Sequence, residues 1–205
     1  MDTKEIILLE SLKLFARNGY EGVSVRDISG KIGMTQAALY KHYAGKQDIF
    51  DNIVKRMNDD YKQRARRLGI PDGSLPDQAS HYKTISLDKI KQISQEQFLY
   101  WTQDEYASCF RKMLSLEQYR NKDMSSLYQQ YFAGGIISYM SLLFEAMMEK
   151  GFFRKEDAKL AALEFYSPIY LMMDIYDGTD NKAEVMKMLK QHIDQFAINY
   201  EEAKK

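Results

Sequence analysis

The absence of any strand-like pattern is the feature that most limits what this chain can fold into. No stretch alternates apolar and polar residues over a useful length with the period of two that a half-buried strand requires. Only three prolines occur in 205 residues, so long helices are permitted almost everywhere. The sequence therefore predicts an all-α protein with no sheet.

Composition adds few restrictions. Apolar residues make up 45% and charged residues 28%, and the formal net charge is zero, so bulk charge indicates neither nucleic acid nor membrane as a partner. The single cysteine, Cys109, excludes an internal disulfide and is typical of a small buried hydrophobe in a reducing cytosol. Charges lie among the N-terminal leucines, unlike a signal peptide, and no apolar run approaches the roughly 20 residues of a membrane helix. We therefore expect a cytoplasmic protein without a membrane partner.

Start and stop signals divide the first 45 residues or so into three helices. Helix caps are predicted at Asp2 or Thr3, at Ser24 and at Thr35, and helix-ending glycines at Gly19 and Gly33. Asp27 follows Ser24 by three residues and completes a capping box. The second helix, "VRDISGKI", and the third, "QAALYKHY", flank the turn "IGM". Two short helices joined in this way indicate a helix-turn-helix.

The remainder of the chain reads as longer helices. A fourth helix is predicted from Lys46 to about Leu68, followed by a proline-containing loop. Further helices are predicted near 86–103, 105–118, 121–133, 135–150, 156–177 and 181–203. We therefore predict an N-terminal three-helix domain at residues 1–46. A long helix joins it to a larger helical domain at 47–205.

The third predicted helix has small residues at its start and long polar residues at its end. A recognition helix enters the major groove, where small residues allow its backbone to approach the base edges. Gln36 can pair with an adenine edge, and Thr35 or Ala37 can contact a thymine methyl group. Between residues 26 and 46, four basic residues stand against one acidic residue. This pattern favours DNA as the partner of the helix-turn-helix.

The segment "SVRDISGKIGMTQAALYKHYAGKQDIF", preceded by "LKLFARNGYEG", resembles the N-terminal domain of the tetracycline-repressor (TetR) family of bacterial transcription regulators. The resemblance is specific because several short motifs, including Val-Arg-Asp-Ile and Leu-Tyr-x-His-Tyr, fall at fixed spacings. It covers about the first 50 residues closely, and the remainder matches only in general shape.

The resemblance implies which residues bind DNA. Phosphate contacts are expected from Ser24, Tyr40, His42 and Lys46. Base contacts are expected from Arg26, Thr35, Gln36, Ala37 and Lys41. Core packing is the alternative for Tyr40 and Tyr43, and an exposed surface position is the alternative for His42.

The last two predicted helices are broadly apolar, which indicates that they are covered both by their own core and by a second subunit. By resemblance, they form a four-helix bundle across a twofold axis in a homodimer. The predicted interface residues are Leu163, Tyr166, Met188, Leu189, Ile193 and Phe196.

Aromatic residues and methionines are frequent between Phe98 and Met173, as in adaptable apolar pockets. The candidate effector-binding residues are Trp101, Tyr106, Met113, Tyr131, Tyr139, Phe144, Tyr166 and Tyr170. For each of them, packing in the core is the alternative. An inward-facing Glu145, Glu164 or Asp174 would favour a cationic ligand.

We therefore predict a DNA-binding transcriptional regulator. Resemblance favours a repressor that binds a palindromic operator as a homodimer, is released by a small organic effector, and lies on the nucleoid when bound. The alternative is a helical small-molecule-binding or scaffold protein without specific DNA binding. An enzyme is not supported: His42, His81 and His192 are far apart, and no zinc, di-iron or phosphate-loop motif occurs. We expect no catalytic residue, metal or cofactor.

Overall fold

The computed structural model describes residues 2–67 and 87–200. Within these ranges the chain forms ten helices and no β-strand: α1 (Thr3–Asn18), α2 (Val25–Lys31), α3 (Gln36–Tyr40), α4 (Lys46–Arg67), α5 (Leu87–Gln103), α6 (Glu105–Glu117), α7 (Lys122–Phe132), α8 (Gly134–Glu149), α9 (Ala158–Gly178) and α10 (Lys182–Tyr200). The all-α prediction is confirmed. The predicted loop after Leu68 lies outside the described residues.

The largest error among the predicted helices concerns α3, which ends at Tyr40 instead of continuing to Tyr43. The reason is a tightening of the last turn, in which the Lys41 and His42 amides donate to carbonyls three residues earlier, at 3.2 and 2.9 Å. The chain then turns into α4 while Tyr43 remains in the core.

The chain divides into two compact units. The first comprises Met1–Arg64 and Gln103–Tyr128, and the second comprises Ala65–Thr102 and Gln129–Lys205. Helix α6 thus belongs with the helix-turn-helix, and it packs against α1. The predicted domain boundary between residues 46 and 47 stays a prediction.

The core of the first unit is built from the apolar faces of α1, α2, α3, α4 and α6. Its fully buried side chains include Ile7, Leu12, Phe15, Ile28, Leu39, Ile49, Ile53, Met57, Phe110 and Met113. Burying one such side chain contributes about 1.5–3 kcal/mol relative to leaving it exposed. The short helices α2 and α3 therefore depend on this core, since isolated helices of their length are not stable in water.

The core of the second unit is rich in aromatic rings. Phe196 on α10 lies 4.7 Å from Phe165 on α9, 5.5 Å from Phe144 on α8 and 4.3 Å from Tyr200, measured between ring centroids. Such ring pairs contribute about 0.5–1.5 kcal/mol beyond the area they bury. This cluster holds α8, α9 and α10 together.

The break between α7 and α8 requires a glycine. A β-carbon added at Gly135 would lie 2.3 Å from the carbonyl oxygen of Gln130, which is too close for any other residue.

The stretch Lys122–Glu149, which contains this break, is long and apolar enough to cross a membrane by length and composition only. About 39% of its apolar window is buried inside the protein, and core helices meet the same criterion, so this is weak evidence for a membrane.

Candidate nucleic-acid interface

A complete capping box starts α2, as the sequence predicts. The Asp27 backbone N–H donates to the Ser24 hydroxyl at 3.2 Å, and the Asp27 carboxylate accepts from the Ser24 N–H at 2.8 Å and the Ser24 hydroxyl at 2.6 Å. The two bonds that the Asp27 carboxylate accepts hold its pKa below the ordinary value of 3.8, and the bond from the Ser24 hydroxyl has the larger effect. Both donors of Ser24 are therefore engaged within the protein. A phosphate contact from Ser24 would have to replace one of these bonds.

The turn between α2 and α3 and the cap of α3 set the direction of the third helix. Gly33 adopts a φ of 69°, a left-handed conformation that glycine adopts without strain. The Thr35 hydroxyl then accepts from the Ala38 N–H at 3.1 Å, which confirms the predicted cap. Thr35 itself is exposed.

Helix α3 has one face in the core and one face in solvent. Leu39 is fully buried, and Tyr43 just beyond the helix is 5% exposed and donates its hydroxyl to the Lys4 carbonyl at 3.4 Å. On the opposite side Tyr40 is 51% exposed. The two alternatives for these tyrosines thus resolve differently, with Tyr43 in the core and Tyr40 on the surface.

The exposed face collects most of the predicted DNA contacts. The residues exposed there and on α2 are Ser24, Arg26, Thr35, Gln36, Ala37, Tyr40 and Lys41, whereas His42 is half-buried. Gln36 and Ala37 stand on the first turn of α3, and Tyr40 and Lys41 at its end. The exposed face therefore has short side chains and one amide at the start of α3 and longer polar groups at its end. The individual roles of these residues toward bases and phosphates stay predictions.

Lys46 differs from the others because its ammonium group is already engaged. The Nζ atom donates to the Tyr20 carbonyl at 3.0 Å and lies 4.2 Å from the centre of the Tyr20 ring. It also lies 3.7 Å from a carboxylate oxygen of the exposed Glu21. Sequence reasoning missed this contact, because Tyr20 and Lys46 come together only when α1 and α4 pack. Lys46 therefore joins the end of α1 to the start of α4.

Residues 7–53, which span the helices of this site, match the family described as bacterial regulatory proteins, tetR family. The helices of this site are therefore similar to the N-terminal helices of that family. The biofilm operon regulator IcaR of Staphylococcus epidermidis is 35% identical over 52 residues, which cover 25% of this chain and 28% of IcaR. IcaR of Staphylococcus aureus strain Newman is 33% identical over the same length. The chain thus matches little more than a quarter of the length of these curated relatives.

Solved structures extend the likeness to the whole tetR fold. SmeT, the repressor of the Stenotrophomonas maltophilia multidrug efflux pump SmeDEF, aligns with a TM-score of 0.65 at 17% identity, covering 99% of this chain and 92% of SmeT. A TetR-family regulator from Mesorhizobium loti aligns with a TM-score of 0.64 at 16% identity, covering 97% and 96%. At these identities the likeness shows the fold alone.

The predicted dimer-interface residues fall into two groups. Leu163 and Met188 are 49% and 40% exposed, and Tyr166 is half-buried. Leu189, Ile193 and Phe196 are buried inside the second unit, with 0%, 2% and 6% of their surface exposed. These three residues pack within their own protomer and offer almost no surface to a partner. Whether the others form an interface stays a prediction.

The predicted effector-binding residues are divided between the two units. Tyr106 and Met113 lie in the first unit, where Met113 is fully buried and the Tyr106 hydroxyl donates to the Ile53 carbonyl at 3.4 Å. The Arg56 guanidinium lies 4.0 Å from the Tyr106 ring centre. Tyr106 therefore has a packing role in the first unit.

The other six candidates lie in the second unit, where four of them belong to one group of rings. Trp101 lies 6.1 Å from Tyr131 and 4.7 Å from Phe132, measured between ring centroids. Phe132 is 6.4 Å from Tyr170, which is 6.1 Å from Tyr166. We call Trp101, Tyr131, Phe132, Tyr166 and Tyr170 the ring group. It joins α5, α7 and α9.

The two remaining candidates, Phe144 and Tyr139, lie on α8. Phe144 belongs to the aromatic core around Phe196, and Tyr139 is half-buried on α8. Glu145, Glu164 and Asp174 are all exposed. The condition under which they would favour a cationic ligand, an inward-facing carboxylate, is therefore not met.

A surface cavity of about 420 Å³ lies elsewhere in the second unit. It is lined by Arg154, Glu156, Asp157, Leu160, Glu164, Asn199 and Tyr200. The pKa of Tyr200 is raised to about 12. Burial is the main cause, and the hydrogen bond that its hydroxyl donates to Glu164 at 2.5 Å is the second. The cavity contains none of the eight predicted effector residues.

Proposed function

We propose that this protein is a DNA-binding transcriptional regulator that represses transcription as a homodimer on a palindromic operator and is released by a small organic effector. The observation that carries the proposal is the exposed face of α3. Its residues Gln36, Ala37 and Tyr40 point to solvent while Leu39 anchors the helix in the core. The family match and the repressor IcaR among the relatives support the same function.

The exposed groups differ in what they can read. The Gln36 amide offers a donor and an acceptor, a combination that suits an adenine edge in the major groove. Ala37 and the Thr35 methyl group suit a thymine methyl group. Tyr40 and Lys41 can hold phosphates, which position the protein without reading sequence. Ser24 and Lys46 contribute less, because their donors are engaged within the protein.

The outer face of α9 is the proposed interface with a second copy of the chain. Leu160, Leu163, Leu171 and Ile175 are 53%, 49%, 59% and 40% exposed. Their spacings are close to whole helical turns, so they form one apolar stripe along the helix. An exposed stripe of this kind is typical of an oligomer interface, and a twofold dimer reads a palindrome. This stripe replaces the buried residues Leu189, Ile193 and Phe196 in the proposed interface.

An apolar or amphipathic organic molecule is the proposed effector, and the ring group is its proposed site. Tyrosine rings supply apolar contact area together with hydroxyl groups that can orient a ligand. SmeT, whose fold is similar, has been solved as a complex with triclosan. That structure aligns with this chain with a TM-score of 0.68. An effector releases DNA if it prefers the protein conformation that binds DNA poorly.

Selection from random-sequence DNA tests the proposal. The full-length protein is incubated with a random duplex library, and bound duplexes are recovered and sequenced. We expect a palindrome with two half-sites one helical turn or a multiple of it apart. The matched control is Gln36→Ala, which should enrich a palindrome with relaxed preference at one symmetric pair of positions. Recovery of no preferred sequence by the folded wild type would favour the scaffold alternative.

A further inference from the structure

Tyr20 lies at the turn after α1 and is held from several directions. Its backbone N–H donates to Glu117 Oε1 at 3.0 Å, and its hydroxyl donates to Gln47 at 2.9 Å. Its carbonyl accepts from the Val23 N–H at 3.3 Å and from Lys46. Val23 directly precedes the Ser24 cap of α2. A continuous set of hydrogen bonds therefore runs from the end of α6, through Tyr20, to the start of the helix-turn-helix.

Glu117 is the last residue of α6, and its carboxylate is almost completely buried. The residue is 1% exposed, and Oε2 has no hydrogen-bond partner among the described residues. A buried carboxylate with a single bond is costly, because Oε2 has lost water without gaining a partner. An apolar side chain at this place would leave the Tyr20 N–H without this acceptor, so the contribution of the glutamate is its bond to the turn after α1.

The turn is shaped around this carboxylate. Gly19 has a φ of 76°, and a β-carbon added there would lie 2.5 Å from Glu117 Oε1. Glycine at this position therefore has two roles: it permits the backbone conformation, and it leaves room for the Glu117 carboxylate. Both sides of the contact belong to the first unit.

We propose that Glu117 is a positioning residue that fixes the turn after α1 on the end of α6 and thereby sets where the helix-turn-helix lies. The proposal rests on the proposed DNA binding. A movement of the end of α6 is passed to α2 through Tyr20 and Val23. Glu117 itself does not touch DNA.

Two substitutions at Glu117 and one control test the role. Glu117→Ala removes the acceptor, and Glu117→Gln keeps an oxygen at the same place. Glu105→Ala is the matched control, since Glu105 also links α6 to α1, through Lys13 at 2.8 Å, but is 61% exposed. Each variant is measured for hydrogen exchange at the Tyr20 amide. Each is also titrated, well below its melting temperature, with the duplex recovered by selection on the wild type.

Glu117→Ala should speed exchange of the Tyr20 amide and weaken binding to the selected duplex, each by about tenfold, because a buried bond to a charged acceptor is lost. Glu117→Gln should restore both to within about threefold of the wild type, and Glu105→Ala should change both by less than about twofold. Rescue by glutamine separates positioning from a general loss of packing. If Glu117→Ala does not fold, Glu117→Asp, which shortens the side chain, takes its place.

Gly19→Ala provides an independent readout. In the wild type it creates both a strained backbone and a clash with Glu117, whereas in a Glu117→Ala background only the strain remains. We therefore expect Gly19→Ala to weaken duplex binding less in that background. Equal effects in the two backgrounds would count against the proposal.

Two results would overturn the proposal. One is Tyr20 exchange in Glu117→Ala indistinguishable from the wild type. The other is faster exchange with unchanged affinity for the selected duplex, which would mean that the contact exists but positions nothing. If the wild type selects no duplex, the proposed function fails, and Tyr20 exchange still decides whether Glu117 holds the turn.

Discussion

Replacing Lys46 by methionine should lower the free energy of unfolding by about 1–3 kcal/mol. Methionine keeps most of the apolar stem and removes only the ammonium group. That group donates to the Tyr20 carbonyl at 3.0 Å, and a hydrogen bond from a charged donor contributes about 1.5–3 kcal/mol. Its position over the Tyr20 ring, 4.2 Å from the centre, adds about 0.5–1 kcal/mol.

The ion pair with Glu21 adds little to this sum. The two charged groups are 3.7 Å apart and the Glu21 side chain is 73% exposed, so the pair contributes at most about 1 kcal/mol. The three contributions share one ammonium group and are therefore not additive. Part of the stabilisation by these contacts is also offset, because the ammonium group of Lys46 is partly removed from water.

Equilibrium urea denaturation of both proteins measures the difference, provided that the dependence on urea concentration stays the same. Lys41→Met is the matched control, because Lys41 is exposed and its loss should change stability by no more than about 0.5 kcal/mol. A loss at Lys46 no larger than the loss at Lys41 would refute a structural role for Lys46. The same variants separate the two lysines on DNA. Lys41→Met should reduce the salt dependence of the DNA-binding constant by about one counterion per subunit, and Lys46→Met should reduce it by less.

Three further predictions follow from the structure. Gln36→Ala should cost about 1–3 kcal/mol on the selected operator and relax one symmetric pair of positions, whereas Tyr40→Phe should weaken binding to all sequences alike in titrations of single-base variants. Leu171→Glu should give a folded monomer of 24.0 kDa in sedimentation, because Leu171 is exposed. Ile193→Glu should give an unfolded protein, as measured by circular dichroism, because Ile193 is buried. A wild-type protein that sediments as a monomer would contradict the proposed interface. The folded pKa of Asp27 lies below 3.8, so its capping bonds stabilise fully above that pH and are lost as pH falls further. The stability difference between wild type and Asp27→Asn should therefore shrink in acid denaturation series.

Local sequence signals were sufficient for the caps of α2 and α3. Ser24, Asp27 and Thr35 were predicted as capping residues and occupy those positions, because a cap involves only neighbours three residues away. The exposed face of α3 could be anticipated for the same reason, since Gln36 and Ala37 follow a cap at the start of an amphipathic turn. The family motif lies in this same short stretch.

Packing alone decided which face of each longer helix turns inward. The apolar residues of α9 and α10 lie on several sides, and the pattern does not distinguish a side that meets the protomer's own core from one that meets a second copy. In the structure Ile193 is buried and Leu171 is exposed. The prediction of the interface therefore mixed the two kinds of residue.

The contacts that hold the helix-turn-helix in place are set by tertiary structure, because their partners are distant along the chain. Tyr20 and Lys46 are 26 residues apart, and Tyr20 and Glu117 are 97 residues apart. A lysine or a glutamate at the end of a helix is most often solvated, and periodicity carries no information about a partner so far away. Only the packing of α1 on α4 and α6 brings these groups within hydrogen-bonding distance and gives them a role.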